Sequence, residues 1–134
     1  MIIAEHIEQY AKKYTTPLST LLQEVERYTQ EYHPEAHMLS GPLQGQFLQM
    51  ISHMLKPKRI LEIGTFTGYS ALCLAAGLKP EGHLHTIELR EKDAAVAQHF
   101  FEQSKFKNQI TLHMGNAKTI IPQLNQQWDL VFID

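Results

Sequence analysis

The chain holds one cysteine, Cys73, so it can form no internal disulfide, and a reducing cytoplasm is the simple reading. No apolar run approaches the roughly eighteen residues a membrane span needs. The opening Met-Ile-Ile-Ala-Glu-His has neither a basic region nor an apolar stretch of signal-peptide type. Basic blocks are absent and the net charge is −2, which argues against a nucleic-acid-binding surface. The eight histidines add positive charge only at lower pH. There are no internal repeats and no low-complexity tract. What remains is a chain that is 43% hydrophobic and 19% charged, enough to bury a core within one domain, residues 1–134.

The chain is organised around Arg59-Ile-Leu-Glu-Ile-Gly-Thr-Phe-Thr-Gly-Tyr-Ser-Ala-Leu72. Ile60 to Ile63 is a short apolar run with β-branched residues, which predicts a buried strand. Gly64 and Gly68 follow, and Tyr69 to Ala76 reads as a helix. Strand, glycine turn and helix form the opening unit of a nucleotide-type α/β site. Glycine serves where the backbone turns sharply and where a ligand approaches main chain. The helix start offers free N–H groups to a carboxylate or phosphate. The spacing is Glu-x-Gly-x-x-x-Gly, not the dinucleotide Gly-x-Gly-x-x-Gly.

Residues 82–89 predict a second strand that ends on Glu88, twenty-four residues after Gly64. A carboxylate there can accept from both hydroxyls of a ribose. The structural alternative is a cap for the helix that begins near Glu91. Ile110 to Met114 predicts a third strand, followed by the turn Gly115-Asn116-Ala117 and a short helix or turn from Lys118 to Leu124. Trp128 to Ile133 predicts a fourth strand, apolar enough to be buried on both faces, ending on Asp134.

Before this core come leading helices, residues 1–57. Ile3, Ile7, Tyr10 and Tyr14 recur at helical spacing over 2–14. Thr16 as N-cap and Pro17 as first helical residue predict a second helix running to Tyr32. His33-Pro34 ends it, and His37 to Gly41 is a connector. Pro42 starts a third helix, stopped by Lys56-Pro57-Lys58. The first two are expected to pack outside the core, as a lid, a dimer surface or simple cover for the sheet. Glu91 to Lys105 predicts a helix with acid at its start and lysine at its end.

Four strands alternating with helices predict a parallel α/β sheet over residues 58–134. Ligands in such sheets bind at the carboxyl ends of the strands. Gly64, Glu88, Gly115 and Asp134 stand at those ends, one per strand.

These residues carry a resemblance. Leu61-Glu-Ile-Gly-Thr-Phe-Thr-Gly-Tyr-Ser-Ala71, Thr86-Ile-Glu-Leu, Gly115-Asn-Ala, Ile120-Ile-Pro-Gln-Leu124 and Asp129-Leu-Val-Phe-Ile-Asp134 resemble the class I S-adenosylmethionine O-methyltransferases. The chain is most similar to the metal-dependent group containing catechol and caffeoyl-CoA O-methyltransferases, with Ser40-Gly41-Pro-Leu-Gln-Gly45-Gln46 included. The resemblance implies a Rossmann-like sheet, an S-adenosylmethionine cofactor, a Mg²⁺ or similar ion, a small catechol-like or phenolic acceptor and a homodimer. It implies a set of roles as well. Ser40 meets the methionine end of the cofactor, Glu62 fixes its amino group, and Ser70 holds its carboxylate. Gly64, Thr65 and Gly68 line the close backbone approach, with Phe66 beside it. Glu88 takes the ribose, while Gly115, Asn116 and Ala117 border the adenine. Asp134 is one metal ligand, and Met38 lies near the transferred methyl. Family members continue past Asp134 with a lysine base and further metal ligands. The expectation is therefore the cofactor-binding half of an enzyme, inactive by itself.

Methyl transfer is an in-line displacement that rests on alignment and on an anionic acceptor oxygen, which a cation promotes. Three alternatives stay open: a nicotinamide oxidoreductase, disfavoured by Phe66 where a second glycine is wanted; a methyltransferase acting on RNA or protein; and a binding or dimerisation module without activity. His83 and His85 alternate on a strand and face one side, as a metal pair or as ordinary surface residues. His33 and His37 read as a chance pair. His113 reads as a packed or edge histidine. Cys73 reads as a packing residue.

Overall fold

A computed structural model describes residues 3–134, so the expected helix start at Ile2 lies outside the described residues. The elements are α1 (Glu5–Tyr14), α2 (Thr20–Tyr32), a single 3₁₀ turn (Ala36–Met38), α3 (Gly41–Leu55), β1 (Arg59–Ile63), α4 (Tyr69–Ala75), β2 (His83–Glu88), α5 (Glu91–Gln103), β3 (Ile110–Met114), α6 (Ala117–Leu124) and β4 (Leu130–Ile133). The strands form one parallel sheet in the order β3-β2-β1-β4. This is the predicted α/β class.

The order decides where the helices go. The steps from β1 to β2 and from β2 to β3 run one way across the sheet, and the step from β3 to β4 runs back over β2 and β1. Right-handed crossovers then set α4 and α5 on one face and α6 on the other. The side chains follow the two-residue alternation of a strand. Ile60, Leu84 and Ile110 point to the α4 side and join Ala71, Leu74, Ala97 and Phe101 in the core. His83, His85 and His113 point to the α6 side. Asp129 ties the start of β4 to the start of β1, since its carboxylate accepts from the Lys58 and Arg59 N–H groups, both at 2.9 Å. Those bonds hold its pKa below the ordinary value.

Several expectations are corrected. α2 begins at Thr20 and not at Pro17, because Ser19 supplies the cap, its hydroxyl accepting the Leu22 N–H at 3.4 Å. The Thr16 carbonyl instead accepts from the Gln46 side chain at 2.7 Å. α2 is also no outer cover: Leu22, Val25 and Thr29 are buried, and the Thr29 hydroxyl is 2.9 Å from the Thr67 hydroxyl of the core. Only α1, with no buried residue, stays outside. α5 stops at Gln103, before Lys105, because the Ser104 hydroxyl folds back to donate to the Phe101 carbonyl at 2.9 Å. β4 is not buried on both faces, for it lies at the sheet edge with Val131 48% and Ile133 71% exposed.

Cys73 is buried in α4, where desolvation pushes its thiol up to about 12. It packs against Gly45, as a buried thiol that resists ionisation and is a poor nucleophile.

Candidate functional site

The direction of chain progression across the sheet reverses between β1 and β4, and the crevice outside the carboxyl ends there is the place where such sheets hold ligands. Gly64 ends β1 in a left-handed conformation, φ +95°, and a Cβ built on it would lie 2.9 Å from the Asp134 carbonyl oxygen. Only glycine lets the two strand ends close so tightly. The Gly64 N–H donates to the Ile87 carbonyl, and the Gly115 N–H to the Glu88 carbonyl, both at 2.9 Å. Main chain thus locks three strand ends together.

Glu88 locks them a second time. Its Oε2 accepts from the N–H groups of Thr65 (3.1 Å) and Phe66 (2.8 Å), and its Oε1 from those of Leu89 and Arg90, both at 2.9 Å. A carboxylate offers about four lone-pair directions, and all four are used here. The residue is 6% exposed. Its bonds to Leu89 and Arg90 precede the α5 helix, so it is a clasp between the loops after β1 and β2, not a cap for α5.

Glu62 lies one layer deeper and is 0% exposed. The Ser70 hydroxyl donates to it at 2.5 Å and the Thr86 hydroxyl at 2.6 Å, and Thr86 is in turn 2.5 Å from the Thr65 hydroxyl. Desolvation pushes its carboxyl up to about 8, only partly opposed by those hydroxyls and reinforced by the charges of Asp134 and Glu88. The folded chain therefore holds a proton that the unfolded chain releases above its ordinary value near 4.5. The associated stability is full below that value and is lost as pH rises towards 8. Burial and their neighbours push His85 down to about 4, a shift of opposite sign that acts below the ordinary imidazole value of 6.5. Between that value and about 8, Glu62 acts without this opposition. We expect unfolding free energy to fall there by up to ~1.4 kcal/mol per pH unit. Urea midpoints measured across this window should slope downward, and Glu62→Gln should flatten the slope. Equal slopes in parent and variant would refute the assignment.

The other expected residues fall as follows. Ser70 is buried in the first turn of α4, with its hydroxyl committed to Glu62. Gly68, φ +92°, is shaped by packing: its Cβ would meet the Phe101 ring at 2.9 Å. Asn116 caps α6, with Oδ1 accepting the Lys118 N–H at 2.9 Å, and Ala117 begins that helix. Ser40 stands at the start of α3 and lines a groove of about 570 Å³ between the leading helices, together with Ile3, Ile7, Leu39 and Leu43. Met38 ends the 3₁₀ turn and is exposed. Partial burial raises the pKa of Asp134.

Phe66 holds a conformation rare for a side-chain-bearing residue, φ +51°, worth on the order of 1–3 kcal/mol of strain. The His33 and Phe66 rings pack in a T-shaped arrangement at a centroid distance of 4.5 Å, and the Arg90 guanidinium lies 5.7 Å from the Phe66 centroid. His33 Nε2 is 2.8 Å from Asp93 Oδ1. Arg90 Nε is 2.8 Å from Asp93 Oδ2, out of hydrogen-bond alignment, and Arg90 also pairs with Glu35. Reading the sequence missed this group: His33 shows there as a helix stop and as a chance pair with His37, and Asp93 is not singled out. The proximity of His33 to Asp93 spans sixty residues, and no local pattern carries it. His33 does not form a pair with His37.

On the α6 side His83 and His85 do share a face, and His113 joins them. His85 Nδ1 is 2.9 Å from His113 Nε2, His83 Nε2 is 2.6 Å from the Thr111 hydroxyl, and the Trp128 ring packs on His85. Among the described residues no group of three or more His, Cys, Asp or Glu could hold a metal ion. No described helix is long and apolar enough to cross a membrane.

Comparison with known proteins places this geometry. A catechol O-methyltransferase of Niastella koreensis is 39% identical over 98 residues, covering 70% of this chain and 44% of that protein. The mouse catechol O-methyltransferase is 30% identical over 132 residues, covering 98% and 48%. Among solved structures, an S-adenosylhomocysteine-bound methyltransferase of Podospora anserina superposes with a TM-score of 0.91 at 29% identity, covering 100% of this chain and 59% of that one. An O-methyltransferase of Bacillus cereus in complex with S-adenosylhomocysteine gives 0.85 at 32% identity, covering 96% and 60%. The chain thus spans about half the length of the curated relatives it matches. The O-methyltransferase family model matches residues 12–134, the turn after β1, Glu88 and Asp134 among them, and the chain belongs to that family.

Proposed function

We propose that this chain binds S-adenosylmethionine and serves methyl transfer to the hydroxyl oxygen of a small catechol-like or phenolic acceptor. The observation that carries the reading is the Glu88 carboxylate at the end of β2, clasping the glycine turn that ends β1. The donor set suits this cofactor: two acids, a hydroxyl at a helix start, closely approached backbone, and no lysine cradle of the phosphate-binding kind. When bound, S-adenosylmethionine supplies a methyl on a sulfonium for displacement by the acceptor oxygen.

In this reading Glu88 holds the ribose hydroxyls. Its four acceptor positions are filled by main chain, so the sugar is taken by three-centre bonds that keep the Thr65 and Phe66 N–H groups in place. For the methionine end, Glu62 serves the ammonium, Ser70 serves the carboxylate once its hydroxyl turns from Glu62, and Ser40 is assigned to the same end. Gly64, Thr65 and Gly68 line the backbone approach, and Gly115, Asn116 and Ala117 border the adenine. Met38 stands on the acceptor side. Asp134 offers one hard oxygen to a divalent cation. One carboxylate is too few donors for such a site, and among the described residues no group of three joins it. No base is assigned within the chain. The exposed side chains of α1 suit a homodimer, and the lone buried cysteine suits a reducing cytoplasm.

Calorimetric titration with S-adenosylhomocysteine, and in parallel with NAD, tests the reading. Binding of the first and not the second is the expected result. Binding of NAD alone, or of neither, overturns it. Binding without methylation of a catechol, with or without added Mg²⁺, identifies a cofactor-binding module.

A further inference from the structure

We infer that His33 and Asp93 are positioning residues for the cofactor loop: together they clamp Phe66, and tie Glu35 to it, beside the Glu88 clasp. The inference rests on the cofactor reading above.

Phe66 needs holding. Its left-handed backbone is unfavourable for a residue with a Cβ, yet that backbone is what aims its N–H at Glu88 Oε2, 2.8 Å away. A relaxed Phe66 turns that N–H aside and leaves one of the four positions on Glu88 empty. The ring is therefore the handle by which the loop is kept in place, and His33 grips it in a T-shaped contact.

The orientation of His33 is fixed at both nitrogens. Nδ1 accepts the Glu35 N–H at 3.0 Å, so the ring proton sits on Nε2 and is donated to Asp93 Oδ1 at 2.8 Å. Asp93 is 5% exposed and stands in the first turn of α5, directly after the short loop that follows Glu88. One imidazole thus joins three separate parts: the end of α2, the turn that leads to Met38 and Ser40, and the start of α5. Arg90 closes the ring from the solvent side by pairing with Glu35 and Asp93 and lying against Phe66. The linkage makes the leading segment and the loop after β1 move as one body.

Two readouts test it on the whole chain. The first is affinity for S-adenosylhomocysteine. His33→Ala and Asp93→Ala should each weaken it at least tenfold, and the double variant should be little worse than either single one. Asp93→Asn keeps an acceptor for the His33 proton and should stay within about threefold of the parent. Val25→Ala, a buried change elsewhere in α2, should lower the urea midpoint while leaving the affinity unchanged. The second readout is hydrogen exchange at the Thr65 and Phe66 amides without ligand, which should speed up in His33→Ala and Asp93→Ala. Affinities equal to the parent, unchanged exchange at Phe66, or an Asp93→Asn as weak as Asp93→Ala would each overturn the inference. Should the parent itself not bind S-adenosylhomocysteine, the cofactor reading fails and amide exchange alone judges the clamp.

Discussion

Glu88→Ala is expected to remove both cofactor binding and a large part of the chain's stability. Four main-chain N–H groups lose their acceptor at once: those of Thr65, Phe66, Leu89 and Arg90. A buried donor left unpaired costs about 1–3 kcal/mol. Water reaches some of these groups once the side chain is cut back, so the sum falls short of four full penalties. About 4 kcal/mol is the expected loss, against the roughly 5–15 kcal/mol that holds a domain of this kind folded. The Phe66 N–H then loses its acceptor, and the loop after β1 is held only through the Phe66 ring. Affinity for S-adenosylhomocysteine should fall by roughly a hundredfold or more, beyond the roughly tenfold worth of one lost neutral hydrogen bond. Glu88→Gln retains one acceptor oxygen and should fall between. Urea unfolding and calorimetric titration of the three proteins check this. An alanine variant with parental midpoint and affinity would remove Glu88 from the centre of the site.

Gly77→Ala should damage the fold still more directly, at the contact with Ser52 of α3. A Cβ at Gly77 would stand 2.1 Å from the Ser52 carbonyl carbon, 2.3 Å from its oxygen and 2.4 Å from its Oγ. Two of these are main-chain atoms of α3. Ser52 is held there by its own hydrogen bond to the Leu74 carbonyl at 2.5 Å. Relief requires α3 to move away from α4, and those helices share the core with β1. Overpacking a core costs about 1–3 kcal/mol and occasionally more; this contact belongs at or above the upper end. Gly45→Ala is the internal comparison. Its Cβ meets only side-chain atoms, of Tyr69, Cys73 and Leu18, at 3.0–3.1 Å, and these can yield. The expected order of urea midpoints is parent, Gly45→Ala, then Gly77→Ala by a wide margin. A Gly77→Ala midpoint equal to that of Gly45→Ala would show that the α3–α4 contact yields to an added methyl.

The same separation of local from distant causes explains what could be read in advance. Ile60–Ile63, 82–89, 110–114 and 128–133 are legible as strands because short apolar runs with β-branched residues have few other uses, and the second and fourth come out shorter, as His83–Glu88 and Leu130–Ile133. Their alternation with helices implies parallel pairing, and parallel pairing implies that Gly64, Glu88, Gly115 and Asp134 gather at one edge. The convergence follows from connectivity alone. The start of α2 was misplaced because Thr16-Pro17 and Ser19-Thr20 are both good helix openings, and the choice fell to Gln46, which takes the Thr16 carbonyl from another helix. The exposure of β4 was misjudged because an apolar run looks the same at an edge as at the centre of a sheet.

By itself, then, the sequence determined the parallel α/β class, the glycine turn, the acids at the strand ends and the family resemblance. Each is written in residues close together or repeated along the chain. The tertiary structure alone decided that Glu88 is saturated by backbone donors, that burial raises Glu62, and that Gly68 serves Phe101 rather than open space. It alone brought His33 to Asp93 across sixty residues. These properties depend on desolvation and on distances between segments far apart in the chain. Neither quantity exists until the sheet has closed and the helices have packed against it.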